Sequence, residues 1–323
     1  MTTHSTRRHL LGMLGASGVA LGAAACGSSD PFEEDQEESE QGGSGGSDGG
    51  GGDGGGEGGD LVVGSQAYYS NEIVAELFAQ VLEADGYTVS RQFQIGQREV
   101  YMPELENGSL DVLPEYLGNL LQHYDSEAQN GTAEEIHSAL EEDLPDGLRV
   151  LSFAEATDQD SYTTTSAFAQ EHSLSEIGDL AGVDEDLQIA ANSEFEVRPY
   201  GPEGVSKVYG VEVSVVPVED SGGPLTVQAL TDGDVQLADL YTSDPAIAAN
   251  DLVVLEDPES LILPQNVVPV VTDKVDAAAE AAITAVIDQL SPDDLVELNR
   301  RSTEDQADSA EIATEWLTEK GLA

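Results

Sequence analysis

Positive charge is what this chain has least of: 11 lysines and arginines stand against 64 aspartates and glutamates, a formal net charge of −53 over 323 residues. So acidic a surface repels nucleic acid and anionic lipid headgroups, which excludes both as partners. Cysteine is nearly absent as well. Cys26 is the single one, so neither an internal disulfide nor a cysteine metal cluster can form. The five histidines, His4, His9, His123, His137 and His172, show no metal-ligand spacing. The sequence also lacks GxSxG, HExxH and a glycine-rich phosphate loop, which leaves a secreted hydrolase as a remote alternative. Asp111 and Glu115 could pair as catalytic carboxylates, but pairs of this kind arise by chance in so acidic a chain. No cofactor is called for.

The acids run through the whole chain, and a body under such self-repulsion needs strong screening. At molar salt the Debye length is roughly 3 Å, so the composition points to a host that meets very high salt.

The first 26 residues read as a targeting leader. A twin-arginine-like start, Ser5-Thr-Arg7-Arg8-His-Leu-Leu, precedes an apolar stretch from Leu10 to Ala25 that is too short and glycine-rich for a comfortable membrane span. It ends in Ala23-Ala-Ala-Cys26, which resembles a lipoprotein processing box. Cys26 is thus expected to carry the lipid that anchors the protein to the outer face of the cytoplasmic membrane. An ordinary signal peptide with an incidental cysteine is the plainer alternative. Residues 27–60 hold Gly, Ser, Asp and Glu with almost no apolar side chains, a disordered, self-repelling tether.

The body begins at Leu61 and alternates strands with helices. Leu61–Ser65 reads as a buried strand, and Asn71–Ala84 as a helix with Ile73, Leu77, Phe78, Val81 and Leu82 on its apolar face. Tyr87–Ile95 is predicted as a strand and Arg98–Asn107 as a helix. A further strand begins at Leu110 and stops at Pro114, presenting Tyr116 at the start of a helix. The rhythm restarts after an extended stretch, Arg149–Ser166. It continues through strand Leu187–Ala191, a helix over about Glu196–Tyr209, strand Val211–Val216, helix Leu225–Thr231 and strand Val235–Leu240, which delivers Tyr241 into a loop. A second extended stretch, Asn266–Val271, is followed by helix from Asp276 to the end. This is an α/β pattern. Two extended segments flanking a self-contained β–α run imply two lobes with two crossovers, residues 61–157 plus 268–323 as lobe I and 158–267 as lobe II. Ligands sit beyond the carboxyl ends of strands in open α/β sheets. Tyr116 and Tyr241 therefore mark an interlobe cleft, unless both are half-buried sheet residues.

The body resembles the substrate-binding proteins of ABC importers for glycine betaine, choline and related osmoprotectants. The resemblance spans nearly all of residues 61–323. Its carriers are Val63-Gly-Ser-Gln-Ala-Tyr-Tyr-Ser-Asn-Glu72, Gly96-Gln-Arg-Glu99, Asp111-Val-Leu-Pro-Glu-Tyr-Leu-Gly118, Arg198-Pro-Tyr-Gly-Pro-Glu-Gly204, Leu225-Thr-Val-Gln-Ala-Leu230 and Ala238-Asp-Leu-Tyr-Thr-Ser-Asp-Pro245. It implies a two-lobed, periplasmic-binding-protein-like fold of type II with two hinge crossovers. It also implies a monomeric, non-enzymatic receptor that closes on a quaternary-ammonium solute and hands it to a permease and its ATPase. Such a cation has no N–H to donate and is held by aromatic faces; a carboxylate at its other end calls for a guanidinium.

By the resemblance, Tyr68 and Tyr116 are the lobe I walls, with Tyr69 as the alternative to Tyr68. Tyr241 is the lobe II wall and Arg198 the carboxylate clamp. Arg198 could instead be a salt-bridge partner, since it is one of nine basic residues in a body with 53 acids. Tyr200 and Tyr209 are read as packing their own helix. Gln265 stands where some members of the family bring a further tyrosine. It can hydrogen-bond but offers no π face, which keeps open choline, a larger betaine, or a non-quaternary solute such as an amino acid or polyol.

Overall fold

A computed structural model describes residues 58–322; the leader, Cys26 and nearly all of the tether lie outside the described residues. The first part of the body builds β1 (Asp60–Gly64), α1 (Tyr69–Ala84), β2 (Thr88–Gln92), α2 (Arg98–Glu106), β3 (Val112–Tyr116), α3 (Leu117–Tyr124), α4 (Ala133–Asp143) and β4 (Leu148–Val150). The middle builds β5 (Tyr162–Thr165), α5 (Ser166–His172), β6 (Leu187–Ala191), α6 (Pro202–Tyr209), β7 (Val213–Pro217), α7 (Pro224–Thr231), β8 (Leu237–Asp239), α8 (Ala246–Ala249) and β9 (Leu252–Val254). The last part returns with β10 (Val267–Thr272), α9 (Ala277–Ile287), α10 (Pro292–Thr303) and α11 (Ser309–Lys320).

These strands form two five-stranded sheets of one design. The first has the order β2-β1-β3-β10-β4 and the second β7-β6-β8-β5-β9. In each, the first two pairings are parallel and the last two antiparallel, so the fourth strand alone, β10 or β5, runs against the rest. Strands β3 and β8 thus occupy the same slot, as do β1 and β6. The chain passes between the sheets twice, and the two passages run side by side. Thr157 pairs with Asn266 in an antiparallel bridge, and the Asp158 amide donates to the Gln265 carbonyl at 3.1 Å.

Helix α1 shows why the sequence folds this way locally. Ile73, Val74, Leu77, Phe78, Val81 and Leu82 recur at helical spacing and are buried between the first sheet and α9, α10 and α11. Three predicted elements differ in the structure. The strand expected to stop at Pro114 continues to Tyr116, because its register partner at Pro114 is Pro269 of β10. The two residues without an N–H thus fall at one level of the sheet. The helix expected over 196–209 is broken: a short 3₁₀ segment, Ser193–Val197, precedes α6. Pro199, Gly201 and Pro202 intervene, and proline cannot continue a helix through that turn. The C-terminal helical run is three helices, capped separately by Asp276, Ser291 and Asp308.

Candidate functional site

The equivalent slots of the two sheets explain where the site forms. Tyr68 follows β1, and Tyr116 ends β3. Asn192, Phe195 and Arg198 follow β6, while Asp239 ends β8 and Tyr241 lies just beyond it. All of them line one cleft, together with Gln66, Gln97, Arg98, Asn119, Asp158, Asp160, Glu194 and Tyr200. The carboxyl ends of four parallel strands, two from each sheet, therefore converge on it.

Tyr68 and Tyr116 both sit at helix N-cap positions in extended conformation, and neither caps its helix. Serine, threonine, aspartate or asparagine would serve better there, by about 1 kcal/mol. The rule is broken where the side chain faces the cleft. Asn71 locks the two loops together: its Oδ1 accepts from the Gln66 amide at 2.9 Å, and its Nδ2 donates to the Pro114 carbonyl at 2.9 Å. Glu115, fully buried, accepts from Arg98 Nε and Nη2 at 2.7 and 2.8 Å, from Tyr101 Oη at 2.6 Å and from the Tyr116 amide at 2.9 Å. The Asp111–Glu115 carboxylate pair weighed from the sequence therefore does not form. Asp111 is taken by Lys274 Nζ at 2.9 Å and the Val62 amide at 2.8 Å.

The rings of Tyr68 and Tyr241 meet edge to face at 4.7 Å across the lobes. Burial pushes the phenols of Tyr68, Tyr116 and Tyr241 well above their ordinary range, so the walls stay neutral. Arg198 also lines the cleft, and its Nη1 donates to Glu99 of α2 at 2.8 Å.

Two expected site residues lie elsewhere. Tyr69 meets the Tyr68 ring edge to face at 4.9 Å and donates to Asp244 at 3.2 Å. Gln265 is fully buried behind the wall. Its Nε2 donates to Asn119 Oδ1 at 2.9 Å and its Oε1 accepts from the Asn119 amide at 3.1 Å. Asn119 in turn donates to Asp160 at 2.8 Å, so Gln265 reaches the cleft through another side chain.

The sequence reading missed several lining residues. Tyr200, read as helix packing, faces the cleft, with its carbonyl accepting from Tyr162 Oη at 2.8 Å and its ring against Phe195 at 5.8 Å. Tyr209, at the end of α6, is partly buried against the core of the second sheet, and its hydroxyl accepts from the Glu259 amide at 2.9 Å. Asp158, Asp160 and Asp239 are also buried in the wall. Burial raises Asp158 to about 7. Burial, and then the charge of Asp160, push Asp239 well up.

Residues 59–319 match the family described as the substrate binding domain of ABC-type glycine betaine transport system. The chain belongs to this family. Its members bind a solute for an ABC transporter outside the cytoplasm, and the family is not one of enzymes. Glycine betaine-binding protein YehZ of Escherichia coli (strain K12) is 22% identical over 274 residues, covering 80% of this chain and 90% of that protein. A solved glycine betaine/carnitine/choline ABC transporter structure superposes with a TM-score of 0.66 at 21% identity, covering 81% of this chain and 98% of the other. Lactococcal OpuAC, closed on glycine betaine, gives a TM-score of 0.59 at 14% identity, covering 81% and 95%. The fold is that of the two-lobed type II periplasmic binding proteins. Among the described residues no helix is long and apolar enough to cross a membrane.

Proposed function

We propose that this chain is the substrate-binding component of an ABC importer for a quaternary-ammonium osmoprotectant, of the glycine betaine and choline group that its relatives are named for. The observation that carries this reading is the convergence of Tyr68, Tyr116 and Tyr241, from both sheets, on one buried cleft. A trimethylammonium group offers diffuse charge and methyl surface but no donor. Neutral aromatic faces answer both, with roughly 0.5–2 kcal/mol per ring when water is excluded. The case for an amino acid or polyol rested on Gln265, and that amide is spent on Asn119.

In this reading the lobes, residues 61–157 with 268–323 and residues 158–267, close about the paired crossovers. Arg198, expected as a carboxylate clamp, ties the cleft mouth by binding Glu99. Cys26 carries the lipid, residues 27–60 hold the body off the membrane, and the monomer delivers its solute to a permease and its ATPase in a very salty medium.

Calorimetric titration of the full-length chain at molar salt with glycine betaine, choline and proline tests the assignment. Saturable heat from at least one quaternary amine and none from proline is expected. Tyr241→Ala should weaken that binding more than about tenfold, roughly the loss of one desolvated ring contact. Unchanged affinity would remove Tyr241 from the cage, and silence from both amines would end the osmoprotectant assignment.

A further inference from the structure

The cleft carries more carboxylate than its tyrosines explain. Asp158, Asp160, Glu194 and Asp239 line it, against two guanidiniums, Arg98 and Arg198. Each guanidinium is already matched by an acid of lobe I, Arg98 by Glu115 and Arg198 by Glu99. Asp158, Asp160 and Asp239 are 4%, 6% and 6% exposed, and no lysine or arginine bonds to any of the three among the described residues. Asp160 accepts from Asn119 at 2.8 Å and Asp239 from the Ser161 amide at 3.2 Å. Asp158 is held through one oxygen only: Oδ1 accepts from the Ser243 amide at 3.1 Å and from its hydroxyl at 2.6 Å. Its Oδ2 and the Tyr68 hydroxyl beside it are both buried without a partner of hydrogen-bond geometry. Burial, the larger effect, raises the Asp158 carboxyl, and the nearness of that hydroxyl lowers it. These acids do not form a metal site: no group of three His, Cys, Asp or Glu among the described residues could hold an ion.

A carboxylate removed from water must either keep its proton or meet a positive charge. Asp158 is faced by Tyr68, Tyr69, Tyr116, Tyr241 and Asp244. Asp239 is faced by Asp160, Arg198, Tyr200 and Tyr241. The counter-charge that Asp158 lacks is the one a quaternary amine brings.

We propose that the cleft selects a net cation of the choline class over carboxylate-bearing betaines, with Asp158 as the counter-ion and a proton released from the cleft as the cation binds. The proposal rests on the quaternary-ammonium reading above and names its charge type. The exchange balances: the Asp158 carboxyl gives its proton to the buffer, and the resulting carboxylate faces the ammonium. A zwitterion brings its own carboxylate into a cleft lined by Asp160 and Glu194, where the Arg198 charge is shared with Glu99. Like charges this close in a dry site cost affinity.

The test is calorimetry of the full-length chain in two buffers of different ionisation enthalpy, from about pH 6 to about pH 8. The probes are choline, glycine betaine, tetramethylammonium and 3,3-dimethylbutan-1-ol, the uncharged isostere of choline. Choline should bind at least about tenfold tighter than glycine betaine and than the isostere. Its affinity should rise with pH, and its heat should vary with the buffer as protons leave. Tetramethylammonium should bind with the same proton release. Asp158→Asn, which keeps Oδ1 for Ser243, should cost choline about tenfold and abolish the proton release. If that variant does not melt cooperatively, the wild-type buffer series decides. Glycine betaine binding as tightly as choline, or choline binding with no proton release and a flat pH profile, overturns the proposal while leaving the osmoprotectant reading standing. If neither amine binds, both fall.

Discussion

Asp158 sits on the first crossover, its amide bonded to Gln265 of the second and its side chain turned to the cleft. Its carboxyl is raised to about 7 by burial, and the sign of the consequence is fixed. Between the unfolded value of about 3.9 and the native value, the folded chain holds a proton that the unfolded chain has lost. Stability contributed by this group is therefore present at low pH and disappears as pH climbs toward about 7. Thermal melts of the ligand-free protein should show stability falling from about pH 4.5 to about pH 7.5. Asp158→Asn should remove part of that slope, a tenfold difference in proton affinity between the folded and unfolded chain being worth about 1.4 kcal/mol. An identical slope in the variant would assign the effect to another group. Asp294 cannot supply it. Burial raises that carboxyl, but hydrogen bonds from Ser291, Lys320 and Trp316 outweigh burial and bring it to about 2, so its contribution is lost only in stronger acid.

At the level of elements, the cleft depends on how closely the second crossover lies on α3. A Cβ at Gly118 would stand 2.5 Å from Leu263 Cβ, 2.9 Å from Gln265 Nε2 and 2.9 Å from the Pro264 carbonyl. Gly118→Ala must therefore push the crossover away and strain the Gln265–Asn119–Asp160 chain. A loss of roughly 1–3 kcal/mol is expected from such overpacking, read by denaturant unfolding, together with weaker solute binding. Unchanged stability and affinity would show that the crossover moves freely over α3.

The same elements show what the sequence could and could not reveal. Tyr116 and Tyr241 were legible because one ends a short strand and the other follows one by two residues, and the two strands hold equivalent slots in the two sheets. Tyr200 was missed although Pro199, Gly201 and Pro202 announce the break that frees it from a helix. Gly204 seals that turn, since a Cβ there would lie 1.8 Å from the Pro199 carbonyl. Asp158, Asp160 and Asp239 were not legible. Among 53 acids in the body, an aspartate that lines a cleft looks like one that faces water. Only the fold separates them. Gln265 lies just before β10, and its direction depends on Asn119, 146 positions away.

For the whole molecule, charge sets two salt dependences of opposite sign. The net charge of −53 drives self-repulsion that falls as the Debye length shrinks from about 10 Å at 0.1 M to about 3 Å at 1 M. Most basic side chains of the body sit in partly exposed ion pairs, such as Arg91 with Glu76 and Glu83, Arg149 with Glu280, and Arg301 with Glu315. Such pairs contribute little and are screened, so they cannot offset the repulsion at low salt. The fold should lose stability as salt is withdrawn, seen as a falling melting temperature. Solute binding should move the other way. A net cation is drawn by the whole acidic surface as well as by the cleft, and that attraction strengthens as screening is removed. Over the range in which the protein stays folded, choline should bind more tightly as potassium chloride is lowered, while zwitterionic glycine betaine should barely respond. Titrations at a series of salt concentrations, with a melt recorded at each, separate the two effects. If both solutes give flat profiles, the ligand does not sense the charge of the cleft, and Asp158 is not its counter-ion.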